Sequence, residues 1–139
     1  MSQAEPRFTS HRKVRFADVD PAGIAFYPRY FEMLNEAVED WFDSLGWGFG
    51  RMHLEKKAGV PARRIEADFI APSRLDDVLD IALSVARVGR TSLQLEVAFT
   101  CAGAPRWSAR MVLVMIDMAS GQPSPWPDDL RARLEGSAG

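Results

Sequence analysis

The stretch FADVDPAGIAFYPRYFEMLNEAVEDWFDSLG, residues 16–46, decides the fold. From Pro28 to Leu45, Tyr30, Phe31, Leu34, Ala37, Val38, Trp41, Phe42 and Leu45 fall on one helical face. Glu32, Glu36, Glu39, Asp40 and Asp43 mostly take the other. That is the period of an amphipathic helix. Pro28 suits its first position and Gly46 its stop. Several apolar positions are adjacent, so the stripe is broad and calls for a large apolar partner, such as the concave face of a sheet. The first part of the stretch is different. Asp18 and Asp20 precede Pro21, Ala22 and Gly23, which are turn residues. The acids suit a helix N-terminus electrostatically. The same place could also do chemistry. Unpaired N–H groups at a helix start can hold a developing oxyanion, while a carboxylate just before them attacks a carbonyl or activates water. Local chemistry leaves both readings open.

Working outward, residues 8–18 read as a strand, with Val14 and Phe16 alternating against Arg15. Residues 47–59 are mixed, with room for a helical turn or two over 53–58. After Pro61 the chain becomes strand-like, over 62–71, 77–88, 91–101 and 105–117. Gly89-Arg90 is a tight hairpin signal and Ala102–Pro105 a looser one. The last strand is apolar on both faces, which implies a central or doubly covered position. Residues 128–135 suit a short terminal helix. A strand, a long helix and four antiparallel strands make an α+β domain, taken here as one unit over residues 1–139.

The bulk properties narrow the function. The 139 residues carry a net charge of −2, which gives no electrostatic case for nucleic acid. A single cysteine, Cys101, excludes an intrachain disulfide. The segment MSQAEPRFTSHRK lacks the apolar core of a signal peptide, and no run is long enough to span a membrane. The expectation is a cytoplasmic protein. His11 and His53 are the only histidines and have no partner at metal spacing, so no metal site is expected. There is no GxSxG elbow, and GWGFG at 46–50 matches no phosphate-binding loop. Asp76 and Asp77 read as a solvated turn, and Arg63 and Arg64 as surface cations or anion contacts.

The segment D-V-D-P-A-G-I-A-F-Y-P-R-Y, with the helix that follows, resembles the signature of the 4-hydroxybenzoyl-CoA thioesterase family of the hotdog fold. PARRIEADFIAPSRLDDVLDIALSV and VGRTSLQLEVAF resemble the strand, proline corner and hairpin downstream, so the likeness covers residues 8–118. It implies a hotdog fold, a long central helix wrapped by a curved antiparallel sheet. It also implies acyl-CoA thioester hydrolysis, with coenzyme A as part of the substrate and no cofactor. By this resemblance Asp20 is the nucleophile or general base, and the Tyr27 backbone N–H polarises the carbonyl. Gly23, Ile24, Pro28 and Asn35 line the substrate, while Arg90, Thr91 and Ser92 meet the CoA phosphates. Asp18 shapes the turn. The family also implies a homodimer or homotetramer.

Departures from the pattern bear on specificity. Asn35 stands where the 4-hydroxybenzoyl enzyme has a helix aspartate facing the aryl hydroxyl. Gly89 replaces one hairpin cation, which shifts attention to Arg87, Arg63 or Arg64. Pro28 replaces the histidine of the Tol-Pal-associated branch, which favours the aryl branch. Three alternatives stand beside this reading: a non-catalytic acyl-CoA binding module, a hotdog hydratase or dehydratase, and a cone-shaped isomerase-like domain. Asp20 argues against the first, and the lack of a histidine in residues 15–46 against the second. The opening strand argues against the third.

Overall fold

The computed structural model describes residues 5–136. Strand β1 (Phe8–Lys13) is followed by a 3-10 turn at Phe16–Asp18, then helix α1 (Pro28–Ser44) and a π-helical turn at Arg51–Glu55. Strands β2 (Ala58–Gly59), β3 (Ala62–Phe69), β4 (Val78–Val88), β5 (Ser92–Cys101), β6 (Ala104–Val114) and β7 (Ile116–Asp117) come next, and helix α2 (Asp128–Leu134) last. Five strands pair antiparallel in the order β1-β4-β5-β6-β3, and β2 pairs with β7.

Helix α1 forms where the pattern requires. Pro28 opens it, and Gly46 leaves it at φ +80°. Tyr30, Met33, Leu34, Ala37, Val38, Trp41 and Phe42 are buried. They share one continuous core with the alternate residues of the sheet, Leu79, Ile81 and Leu83 of β4, Leu93, Leu95, Val97 and Phe99 of β5, and Trp107, Met111 and Leu113 of β6. Each large apolar side chain in that core contributes about 1.5–3 kcal/mol by leaving water. A long helix against one face of a curved antiparallel sheet is the hotdog arrangement.

Several boundaries differ from the sequence expectations, each for a local reason. β1 ends at Lys13 because Asp18 pulls the chain back into a turn. Its carboxylate accepts the Arg15 N–H at 2.8 Å and pairs with Arg12 at 2.8 Å. Phe16, expected to alternate with Val14 in that strand, is instead 83% exposed. The helical turn expected over 53–58 lies at Arg51–Glu55, and Ala58–Gly59 is a short strand. The last strand breaks at Met115, whose N–H goes to Thr91 O at 2.8 Å, and resumes as β7. Its Val112 and Val114 are half-buried, and β6 lies inside the sheet between β5 and β3. The C-terminal segment caps one end of the sheet. Trp126 Nε1 donates to Ser92 O at 3.1 Å, and Arg131 donates to Gly89 O at 2.8 Å.

Candidate active site

The site begins with the turn between the 3-10 segment and α1. Asp20, Pro21, Ala22 and Gly23 form a β-turn closed by Gly23 N–H donating to Asp20 O at 2.8 Å. Gly23 sits at φ +81°, a conformation that only glycine adopts without strain, and no atom lies within 4 Å of where a Cβ would stand. Proline suits position i+1, and the aspartate side chain closes an Asx-turn, with Ala22 N–H donating to Asp20 Oδ1 at 2.9 Å. The turn is tied down on both sides. Asp20 N–H donates to Ile24 O at 3.0 Å, and Ala25 N–H to Ser73 O at 2.8 Å. Ile24 bridges Arg74, so the turn sits on the loop that enters β4.

The two aspartates have different surroundings. Asp18 is buried. Its carboxylate takes the Arg15 N–H and the Arg12 guanidinium, and its carbonyl accepts Phe26 N–H at 2.8 Å. Burial alone would raise its pKa. The Arg12 hydrogen bond, the Arg15 amide and the Arg12 charge outweigh that and hold the carboxyl below the ordinary carboxylate range. Asp20 is half-buried and, among the described residues, has no ion pair. Its second oxygen is uncommitted. Asp18 is therefore structural, as expected, although Asp20 shares the work of holding the turn.

The start of α1 supplies the complementary group. Along residues 25–30 almost every backbone N–H has an acceptor. Ala25 donates to Ser73 O, Phe26 to Asp18 O, Arg29 to Phe26 O and Tyr30 to Tyr27 O. Pro28 has no N–H. The Tyr27 N–H alone in this run has no acceptor among the described residues. It lies at the positive end of a 17-residue helix. The Tyr27 ring is exposed and packs edge-on to Phe26 and Phe69. An N–H donor without an acceptor thus stands at the helix start, and a carboxylate without a counter-ion stands in the turn that leads to it, both among the described residues. That pair can hold an oxyanion and attack, or deprotonate water against, the carbonyl beside it.

One helical turn beyond Tyr27, a cavity of about 400 Å³ opens between α1, β3 and β6. Phe31, Leu34 and Val38 of α1, Ile65 of β3 and Met111 and Leu113 of β6 wall it. Asn35, a substrate residue by the resemblance, also lines it, and so does His53, which sequence reasoning left without a role. Only long-range packing places His53 there, and no local motif signals it. Pro28 and Ile24 are half-buried near the turn. Arg90, Thr91 and Ser92 lie elsewhere. The turn abuts the loop before Val78, whereas the hairpin follows Val88, about 30 Å further along β4. One chain does not bring Arg90 to Asp20. Among the described residues, no three His, Cys, Asp or Glu side chains cluster as a metal site, and no helix is long and apolar enough to cross a membrane.

A family model described as the thioesterase-like superfamily matches residues 14–134. The chain belongs to this superfamily. Its turn and helix start therefore stand in a family of thioesterases, and the named relatives narrow the comparison. The chain is 26% identical over 128 residues to a 1,4-dihydroxy-2-naphthoyl-CoA hydrolase of Nostoc punctiforme, covering 92% of this chain and 86% of the relative. It is 30% identical over 86 residues to the 4-hydroxybenzoyl-CoA thioesterase of Pseudomonas sp. strain CBS-3, covering 60% and 61%. Among solved structures it is similar to a gentisyl-coenzyme A thioesterase, with a TM-score of 0.82 and 29% identity over 89% of this chain and 99% of that one. This superfamily member thus has the fold that the opening stretch implied.

Proposed function

We propose that the protein hydrolyses acyl-CoA thioesters with an aromatic or short acyl group, with Asp20 and the Tyr27 N–H as its catalytic pair. The observation that carries this reading is an unclaimed Tyr27 amide at the helix start, seven residues after an Asp20 carboxylate with no ion pair among the described residues. The relatives act on aromatic CoA thioesters, and the cavity beyond Tyr27 is walled by apolar side chains.

The chemistry follows from the geometry. The thioester carbonyl oxygen accepts the Tyr27 N–H, which, with the helix end behind it, stabilises the negative charge that develops on attack. Asp20 either adds to the carbonyl carbon itself or takes a proton from the water that adds. In both routes the C–S bond breaks, CoA leaves as a thiolate that gains a proton, and water supplies the hydroxyl of the free acid. In the covalent route a mixed anhydride on Asp20 is hydrolysed in a second step.

The position of Arg90 points to two copies. β3 is an edge strand, and its Ile65 and Phe69 are exposed apolar residues. Its Ala62 end lies on the hairpin side of the sheet, and its Phe69 end packs against Tyr27 at the start of α1. Antiparallel pairing of two β3 edges about a two-fold axis sets the hairpin end of one subunit beside the Asp20 end of the other. Arg90, Thr91 and Ser92 then reach the CoA phosphates of the neighbouring site, where an arginine is well suited to bind. A dimer is the smallest assembly this requires, and a dimer of dimers keeps the same pairing. The protein acts in the cytoplasm on soluble CoA esters.

Asp20→Asn tests the assignment. Turnover across a panel of benzoyl, phenylacetyl and straight-chain acyl-CoAs is expected to fall about 10³-fold, within the range of a lost general base or nucleophile. Near-wild-type hydrolysis by that variant would remove Asp20 from the mechanism.

A further inference from the structure

His53 has a fixed tautomer and an unused nitrogen. Its Nδ1 lies 2.8 Å from the Phe49 carbonyl oxygen. A carbonyl only accepts, so Nδ1 carries the hydrogen and, in the uncharged ring, Nε2 is an acceptor. The ring is also held edge-on to Phe49, with centroids 5.5 Å apart. Nε2 faces Gly59. A Cβ at Gly59 would stand 3.4 Å from Nε2 and 3.8 Å from Ile116 Cγ1. His53, Gly59 and Ile116 all line the cavity beside α1. With no side chain at Gly59, the Nε2 edge of the ring is left uncovered on that side.

Asn35 is the other polar side chain on the cavity wall, and the remaining walls are apolar. Among the described residues, no lysine or arginine lines the cavity. A carboxylate or phosphate placed there would lack a counter-charge, whereas a neutral hydroxyl would find an acceptor in Nε2 and a donor or acceptor in the Asn35 amide. Asn35 lies eight residues beyond Tyr27, about 12 Å along the helix axis. An aromatic acyl group whose carbonyl rests on the Tyr27 N–H can span that distance, with hydrogen bonds at both ends.

We propose that His53, held by Phe49 and exposed by Gly59, is a specificity-determining residue that accepts a hydrogen bond from a hydroxyl at the far end of an aromatic acyl group. This rests on the thioester hydrolase reading above and adds to it the chemistry of the acyl end.

Binding to the Asp20→Asn protein, which separates recognition from turnover, tests it by calorimetry. The ligand pairs are 4-hydroxybenzoyl-CoA with benzoyl-CoA, and 6-hydroxy-2-naphthoyl-CoA with 2-naphthoyl-CoA. The hydroxylated member of at least one pair is expected to bind about tenfold tighter, the scale of one good hydrogen bond. His53→Asn keeps a donor for Phe49 O but has no atom at the Nε2 position, and it should erase that preference. Gly59→Ala should erase it too, by covering Nε2 while leaving the ring in place. His53→Gln, with an amide oxygen near the Nε2 position, should restore part of it. No preference for either hydroxylated ligand, or a preference unchanged in both His53→Asn and Gly59→Ala, would overturn the proposal. If the wild type hydrolyses none of these four esters, the aromatic part of the hydrolase reading fails, and the binding ratios still decide the role of His53.

Discussion

Asp18 and Asp20 lie two residues apart, yet only Asp18 is neutralised by a partner. Arg12 and the Arg15 amide hold it ionised inside the protein, and Arg12 keeps a second partner in Glu36 at 3.1 Å. The folded state thus depresses the Asp18 pKa. Such a group adds stability at pH values above its unfolded value, about 3.9, and loses it as pH falls through the lower folded value. Asp18→Asn should therefore cost about 3 kcal/mol at neutral pH, the low end for breaking a buried pair, because Glu36 still faces Arg12. Urea unfolding at pH 7 and at pH 3 measures this, and the gap between wild type and variant should shrink at the acid end. A gap that widens with acid would contradict the pairing. At Gly23 the backbone sets the constraint. Gly23→Ala meets no atom but must adopt φ +81°, so a loss of about 1–2 kcal/mol is expected. A larger loss of turnover than of stability would show that the turn also positions Asp20.

At the scale of elements, the features with local causes were readable from sequence. Pro28 and Gly46 bound α1, and the spacing from Tyr30 to Phe42 gave its buried face. The Gly89 hairpin closes with Gly89 N–H donating to Ser92 O at 2.8 Å. Features with long-range causes were not readable. β1 stops early because Asp18 reaches back to Arg12, and alternation through Val14 and Phe16 carries no trace of that. The resemblance pointed to the Tyr27 amide, but the acceptors that Ser73 and Asp18 give to Ala25 and Phe26 on its N-terminal side come from outside the helix, where no pattern within it reveals them. β2 and β7 are two residues each, too short for a period to register. Trp41 carries the α1 packing at this scale. It is buried and edge-on to Phe42 at 5.2 Å, so Trp41→Ala should cost about 3–5 kcal/mol in chemical unfolding. A cost below about 1 kcal/mol would mean that α1 is not docked through that face.

At the scale of the molecule, the proposed site draws on two chains. The Asp20 turn and the Arg90 hairpin occupy opposite ends of β4. The resemblance placed both at the substrate, and that grouping holds only if a second copy supplies the hairpin. Sedimentation at micromolar concentration should show a dimer or tetramer, and a stable monomer would contradict the paired-edge arrangement. Arg90→Ala should then weaken binding of CoA esters while leaving kcat nearly unchanged, since it contacts the carrier rather than the carbonyl.

If the Asp20 carboxylate, together with the Tyr27 amide, breaks the thioester, its loss must slow the chemical step. Single-turnover hydrolysis of an aryl-CoA by wild type and Asp20→Asn, with thermal unfolding of both, tests it most directly. A rate loss of about 10³-fold is expected, with an unfolding midpoint within a few degrees of wild type. Hydrolysis at a near-wild-type rate by a folded Asp20→Asn protein would contradict it.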